Sequence, residues 1–97
     1  MTKANIISEV SNLTGLTKVE IEAAIDGIMA SISDSLKRGE RVDLRGFGSF
    51  LIKKRQAREA RNPATSEIVK LEERYIPAFK VSKILKEDVN KSLLRGF

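Results

Sequence analysis

Five cations, Lys53, Lys54, Arg55, Arg58 and Arg61, stand close together against a single acid, Glu59. The apolar side chains among them are only Ala57 and Ala60, so no core forms on this stretch. Its chemistry is that of an anion binder, because cations at this density attract phosphates and displace their counterions. Asn62-Pro63-Ala64-Thr65-Ser66 follows as a turn signal, in which Pro63 fixes its own φ and pushes Asn62 toward extended backbone. From Glu67 to Glu72 the chain resumes a partly β-branched pattern carrying Lys70, with Arg74 just beyond it. The simplest geometry is a two-stranded ribbon over residues 53–75 with Pro63 at its tip. A hairpin of this kind is marginal alone in water, so the ribbon either orders against an anionic partner or remains a flexible loop. A basic finger that orders on an anion points to nucleic acid.

Other chemistries find little support. Cysteine and histidine are both absent, which excludes disulfides and zinc sites of the usual kind. The carboxylates near the basic stretch, Glu59, Glu67, Glu72 and Glu73, are scattered along it and form no acid-base pair. Neither an enzyme nor a cofactor or metal is therefore expected. No apolar run approaches the ~20 residues of a membrane span, and the N-terminus lacks the plan of a signal peptide. A soluble, cytoplasmic chain without a membrane partner is the expectation.

The 97 residues carry a net charge of +5, unevenly placed. Residues 1–52 hold six cations and seven acids, net −1, whereas residues 53–97 hold twelve and six, net +6. With the ribbon set aside, the remainder is near the size at which one core supplies only ~3–5 kcal/mol. Oligomerisation is the remaining reinforcement.

The elements that must position the ribbon follow from periodicity and caps. Thr2 caps a first helix with Ile6, Ile7, Val10 and Leu13 on one face, and Gly15 suits its left-handed end. Thr17-Lys18-Val19-Glu20 reads as a capping box, stapled by Leu16 and Ile21, so the second helix starts at Lys18. Its apolar positions, Ile21, Ala24, Ile25, Ile28, Met29, Ile32 and Leu36, keep helical spacing until Lys37-Arg38-Gly39. A DNA-reading helix-turn-helix is disfavoured, since Glu20, Glu22 and Asp26 crowd the end that would meet DNA. Arg41 to Arg45 alternates as a strand with Val42 and Leu44 inward and its charges outward. Gly46-Phe47-Gly48-Ser49-Phe50 makes a glycine turn that places two phenylalanines in a core. Pro77, in Tyr75-Ile76-Pro77-Ala78-Phe79, breaks ladder pairing and marks the edge or end of the sheet. Ser82 caps a third helix whose Ile84, Leu85, Val89 and Leu93 are expected to cover the sheet. Such a basic amphipathic helix also suits an anionic membrane surface, but packing on the sheet is the better use of its apolar face. Phe47, Phe50 and Phe79 are the expected centre of a shared core. The fold class is α+β.

The run GFGSF, then Arg55, Arg58, Ala60 and Arg61-Asn62-Pro63-Ala64-Thr65, and later Ile76-Pro77-Ala78-Phe79-Lys80, resembles the HU and integration host factor family of bacterial histone-like DNA-binding proteins. The likeness extends from about Lys3 to Asn90. It implies an intertwined dimer: a helical hairpin, a three-stranded antiparallel sheet with a long β-ribbon arm, and a C-terminal helix. The single domain would comprise a helical dimerisation part (1–39), a sheet body (40–52 and 76–81), a DNA-binding arm (53–75), and a helix with a short extension (82–97). The implied function is bending of duplex DNA in the minor groove, nucleoid-associated and cytoplasmic, with Pro63 as the intercalating wedge and Arg61 and Asn62 beside it. Arg55 and Arg58, with Lys53, Lys54, Lys70 and Arg74, would follow phosphates along the arm. Lys3, Lys80, Lys83 and Lys86 would line the body. Arg41, Asp43 and Arg45 look like the β-subunit of integration host factor, where comparable charges contribute to site preference; an ordinary solvated strand face is the equal alternative. The homodimer is the first expectation and a heterodimer with a paralogous subunit the second, with RNA as a secondary ligand. Ala60 and Ser66 stand where many relatives have glycine, which predicts a stiffer or differently shaped tip. Residues 91–97 look like an extension beyond the usual end of the third helix.

Overall fold

Thr2 begins the first helix by accepting a hydrogen bond from the Asn5 amide, while the Asn5 side chain accepts from the Thr2 amide at 2.8 Å. This reciprocal cap satisfies two donors that would otherwise be orphaned. In the computed structural model, which describes residues 1–95, helix α1 spans Lys3–Thr14 and ends on Gly15 at φ 77°. Helix α2 spans Lys18–Lys37. The Glu20 amide donates to the Thr17 hydroxyl at 3.2 Å, one half of the expected capping box. The chain divides into two units, residues 1–34 and the part from Ser35 onward. In the first, Ile7 and Ile21 are the buried apolar side chains, and no others are buried among the described residues.

The second unit is built on a three-stranded antiparallel sheet in the order β1-β2-β5, with β1 at Val42–Leu44, β2 at Gly48–Arg55 and β5 at Arg74–Val81. A second, two-stranded ladder pairs β3 (Arg58–Arg61) with β4 (Ile68–Leu71). Helix α3 follows at Lys83–Leu94, capped by the Ser82 hydroxyl, which accepts from the Leu85 amide at 3.1 Å. The same hydroxyl donates to the Gly46 carbonyl at 2.9 Å and ties the helix start to the β1–β2 turn. Gly48 is glycine because its strand runs against β5. A Cβ there would stand 2.6 Å from the Lys80 carbonyl oxygen and strike the Phe79 ring.

Four expectations are corrected. The first strand is shorter than Arg41–Arg45: it covers Val42–Leu44, and Arg45 lies in the turn that Gly46 closes at φ 85°. Pro77 does sit on an edge strand, but pairing does not break there; Ile52 is its partner and β5 continues to Val81. The edge tolerates a residue without an N–H. Leu44, expected to point inward, is 38% exposed in one chain; Phe47 at 51% and Phe79 at 44% are exposed there as well, which is compatible with a core shared between copies. Phe79 packs against Phe50 and Phe47 in tilted geometry, with ring centroids 4.9 and 5.5 Å apart. Helix α3 buries no residue, and Ile84, Val89 and Leu93 remain exposed. The physical reason is common to the last two: a single copy supplies no layer over these apolar surfaces. Residues 91–94 prolong α3, whereas Phe97 lies outside the described residues.

Candidate nucleic-acid interface

Because neighbouring side chains in a strand point to opposite faces, the strand register sorts the sheet. Val42, Leu44, Phe50, Ile52, Lys54, Tyr75, Pro77, Phe79 and Val81 share one face. Asp43, Ser49, Lys53, Arg55, Arg74 and Lys80 share the other, with Leu51, Ile76 and Ala78 between them. One face is thus apolar except for Lys54 near the arm, and the other carries four cations against one acid. A shift of one residue would exchange them, so the turn at Gly46 and the close approach at Gly48 fix the electrostatics as well as the packing.

Three groups on the basic face hold one another. The Ser49 hydroxyl and Arg41 Nε both donate to Asp43 Oδ1, at 2.5 and 2.8 Å, and a second Arg41 nitrogen donates to Ser49 Oγ at 3.3 Å. The bonds from Ser49 and Arg41 hold the Asp43 carboxyl below its ordinary value. The bonds are therefore intact at neutral pH and are lost as pH falls through that lowered value. Ser49 is a partner that sequence reading missed, although the alternation around Phe50 places it on the polar face. Lys3, at the start of α1, is likewise engaged: its ammonium bonds Asp26 of α2, and this bond raises its pKa. Both side chains are about half exposed, so solvent screens the pair and it adds little to stability.

The ribbon carries the rest of the expected contacts. Lys53, Lys54 and Arg55 close β2, Arg58 and Arg61 bound β3, Lys70 is on β4, and Arg74 opens β5. Lys80 lies near the end of β5, while Lys83 and Lys86 lie in the first turn or so of α3. All of these are exposed. The tip is closed by its own hydrogen bonds. The Asn62 amide donates to the Glu67 carbonyl at 2.8 Å and the Ser66 amide to the Asn62 carbonyl at 2.7 Å. Asn62 Oδ1 accepts from the Ala64 amide at 3.0 Å. Asn62 therefore shapes the turn that presents Pro63, which stands exposed at its start.

Ser66 takes φ 59°, the left-handed conformation that favours glycine. The tip keeps that conformation without glycine, and the cost falls on Ser66; Ala60 has no positive φ and pairs normally with Val69. Replacing Ser66 with glycine is expected to relieve about 1 kcal/mol of local strain. Amide hydrogen exchange at Ser66 and Asn62 reads the effect as slower exchange, and faster exchange would show that the serine conformation is unstrained.

The β-arm architecture has solved counterparts. An HU protein from Anabaena, in a cocrystal with DNA, superposes with a TM-score of 0.83 at 34% identity, covering 92% of this chain and 97% of that one. An HU variant from Thermotoga maritima gives 0.71 at 30% identity, covering 92% and 99%. The chain belongs to the family described as bacterial DNA-binding protein, the family of HU and integration host factor, whose profile matches residues 1–90. It is 40% identical over 91 residues to HU of Thermus thermophilus, covering 94% of each. It is 41% identical to the integration host factor β-subunit of Marinobacter nauticus over the full length of both chains.

Proposed function

We propose that this chain is an architectural DNA-binding protein that, as a dimer, bends duplex DNA with two ribbons lying in the minor groove and a proline wedged at a base step under each tip. The observation that carries the reading is the register: it aligns Lys53, Arg55, Arg74 and Lys80 on one sheet face, leading into a ribbon tipped by an exposed Pro63. Wedging a base step costs a few kcal/mol of unstacking, offset when the kinked duplex meets more cationic surface. Proline suits the wedge because its ring is rigid and it has no N–H to leave unpaired. Lys53, Lys54, Arg55, Arg58, Arg61, Lys70 and Arg74 contact phosphates or groove along the arm. Lys3, Arg45, Lys80, Lys83 and Lys86 hold the flanking DNA against the body, and Asn62 sets the tip.

The dimer follows from the open apolar surfaces. Ile28 and Met29 of α2, the Phe47-Phe50-Phe79 cluster and the apolar face of α3 lack cover in one chain. A second copy supplies it and brings the second arm. This makes the protein suited to nucleoid organisation and to assembling nucleoprotein complexes. A second reading, a sequence-preferring subunit that needs a paralogous partner, is favoured by the Arg41–Asp43–Ser49 group on the basic face and by the full-length match to an integration host factor β-subunit.

A salt-titrated binding curve of the purified chain on straight, nicked and random duplexes tests the proposal. With ~6–10 phosphate contacts, affinity should fall by ~10³–10⁵-fold between about 50 and 200 mM salt, in a linear log-log plot. Binding that ignores salt would sink the reading, and failure of the chain alone to bind any duplex would favour the obligatory partner subunit.

A further inference from the structure

The turn of the helical hairpin carries apolar side chains that its own unit leaves open. Leu13 at the end of α1 is 84% exposed and Val19 at the start of α2 78%, with Leu16 exposed between them. Val19 stands nine residues before Ile28, about two and a half helical turns, and so on the opposite side of α2 from its apolar stripe. A lone exposed leucine or valine is ordinary. Three around one turn make a patch of the kind that marks a protein interface. The patch is set in acid: residues 1–34 hold two cations against five acids. Glu9, Glu20 and Glu22 enter no ion pair among the described residues.

The far end of α3 has the converse character. Leu94 is 77% exposed and lies nine residues beyond the half-buried Leu85, again about two and a half turns. It therefore faces away from the Leu85 side of the helix, which the proposed dimer covers. Leu94 helps to line an outer cleft of about 570 Å³ with Asn90 and Leu93. Here the charge is positive: residues 83–95 hold four cations against two acids, with Lys91 three residues before Leu94 and Arg95 directly after it. Neither of these two cations enters an ion pair among the described residues. The family profile stops at residue 90, so the turn bearing Lys91, Leu93 and Leu94 lies past it.

We infer that these two surfaces are the halves of one contact, and that the occupant of each hairpin turn is the α3 end of a second copy in a neighbouring dimer. Val19 and Leu94 both turn away from the surfaces the dimer consumes, which leaves them for a further copy. Apolar area meets apolar area, while Glu20 and Glu22 meet Lys91 and Arg95. That complementarity fixes the pairing and disfavours hairpin on hairpin or helix end on helix end through like charge. Because the halves differ, the contact is head-to-tail, the kind that extends an assembly rather than ending it at two. Neither half uses the arm, so dimers arrayed on one duplex are joined through protein as well as through DNA. The inference rests on the proposed dimer and is independent of bending.

Sedimentation velocity of the full chain without DNA, over a rising concentration series, tests it. Species larger than the dimer are expected at ~0.1 M sodium chloride, with association between dimers weakened about tenfold at ~0.5 M as the charges are screened. Leu94→Asp and Val19→Asp should each stop at the dimer, with unchanged circular dichroism and unchanged affinity for a short duplex that holds one dimer. Two charge reversals probe the pairing: Glu20→Lys with Glu22→Lys, and Lys91→Glu with Arg95→Glu. Each reversed variant alone should stop at the dimer. Their equimolar mixture should assemble as the parent does, because each reversed surface finds its complement on the other variant. A parent that stays dimeric throughout, a Leu94→Asp variant that assembles normally, or a mixture that stays dimeric would overturn the inference. Loss of the dimer itself in Leu94→Asp would also overturn it, by placing Leu94 inside the dimer. Each of those results leaves the DNA-bending proposal standing, whose own failure shows in duplex binding instead.

Discussion

Pro63→Ala is expected to leave the fold intact and to straighten bound DNA. The tip is held by the Asn62–Glu67 and Ser66–Asn62 backbone bonds and by the Asn62 side chain on the Ala64 amide, none of which uses the proline ring. An alanine there therefore keeps the turn, and the melting transition should be unchanged. What it removes is the rigid apolar wedge. With no wedge, unstacking that costs a few kcal/mol is no longer driven at the step, so the bend shrinks. The cationic surface is untouched, so the salt slope stays as in the parent and affinity falls by about tenfold at most. Energy transfer between dyes on the two ends of a duplex gives the bend directly. An end-to-end distance equal to that with the parent protein would remove Pro63 from the mechanism.

Phe79→Ala should have the largest effect on stability. Phe79 stands at the centre of the aromatic cluster, 4.9 Å from the Phe50 ring and 5.5 Å from that of Phe47. Aromatic pairs contribute about 0.5–1.5 kcal/mol each beyond their area, and Phe→Ala at a covered site costs roughly 3–5 kcal/mol. That is a large part of what a chain this small can command. Sedimentation equilibrium combined with circular dichroism should therefore show Phe79→Ala as unfolded monomer at concentrations where the parent is dimeric. A variant that stays dimeric with an unaltered melting curve would place Phe79 outside the shared core.

Much of this fold is legible because its signals are local. Thr2, Gly15, Thr17 and Ser82 mark helix ends through bonds to residues two to four positions away, and the structure shows each of them at its terminus. Pro63 marks the ribbon tip by the same logic of short range. What was not legible depends on partners distant in sequence or in another copy. Val42 and Leu44 read as inward from alternation, and they do share the apolar face, yet Leu44 stays open because the covering layer is absent from one chain. That Arg55 faces Arg74 as the last pair of the β2–β5 ladder is visible only once the register is known. Ser66 shows the opposite case: glycine is the favoured residue for a left-handed turn, but a serine bears the strain when the surrounding bonds demand it. The candidate interface follows the same division, since its cations are evident in the sequence while their alignment on one face, and the engagement of Arg41 by Asp43 and Ser49, are not.

Pro77, in the middle of the outer strand β5 and close to Arg74 and Lys80, bears on the life of the chain before assembly. An unpaired outer strand beside an uncovered apolar face is a template for stacking sheets edge to edge into aggregates. A proline in that strand denies an incoming strand one donor, and the flanking charges repel a like neighbour. A newly made copy is thereby protected from amyloid-like self-association during the interval in which its greasy face is still waiting for its proper mate.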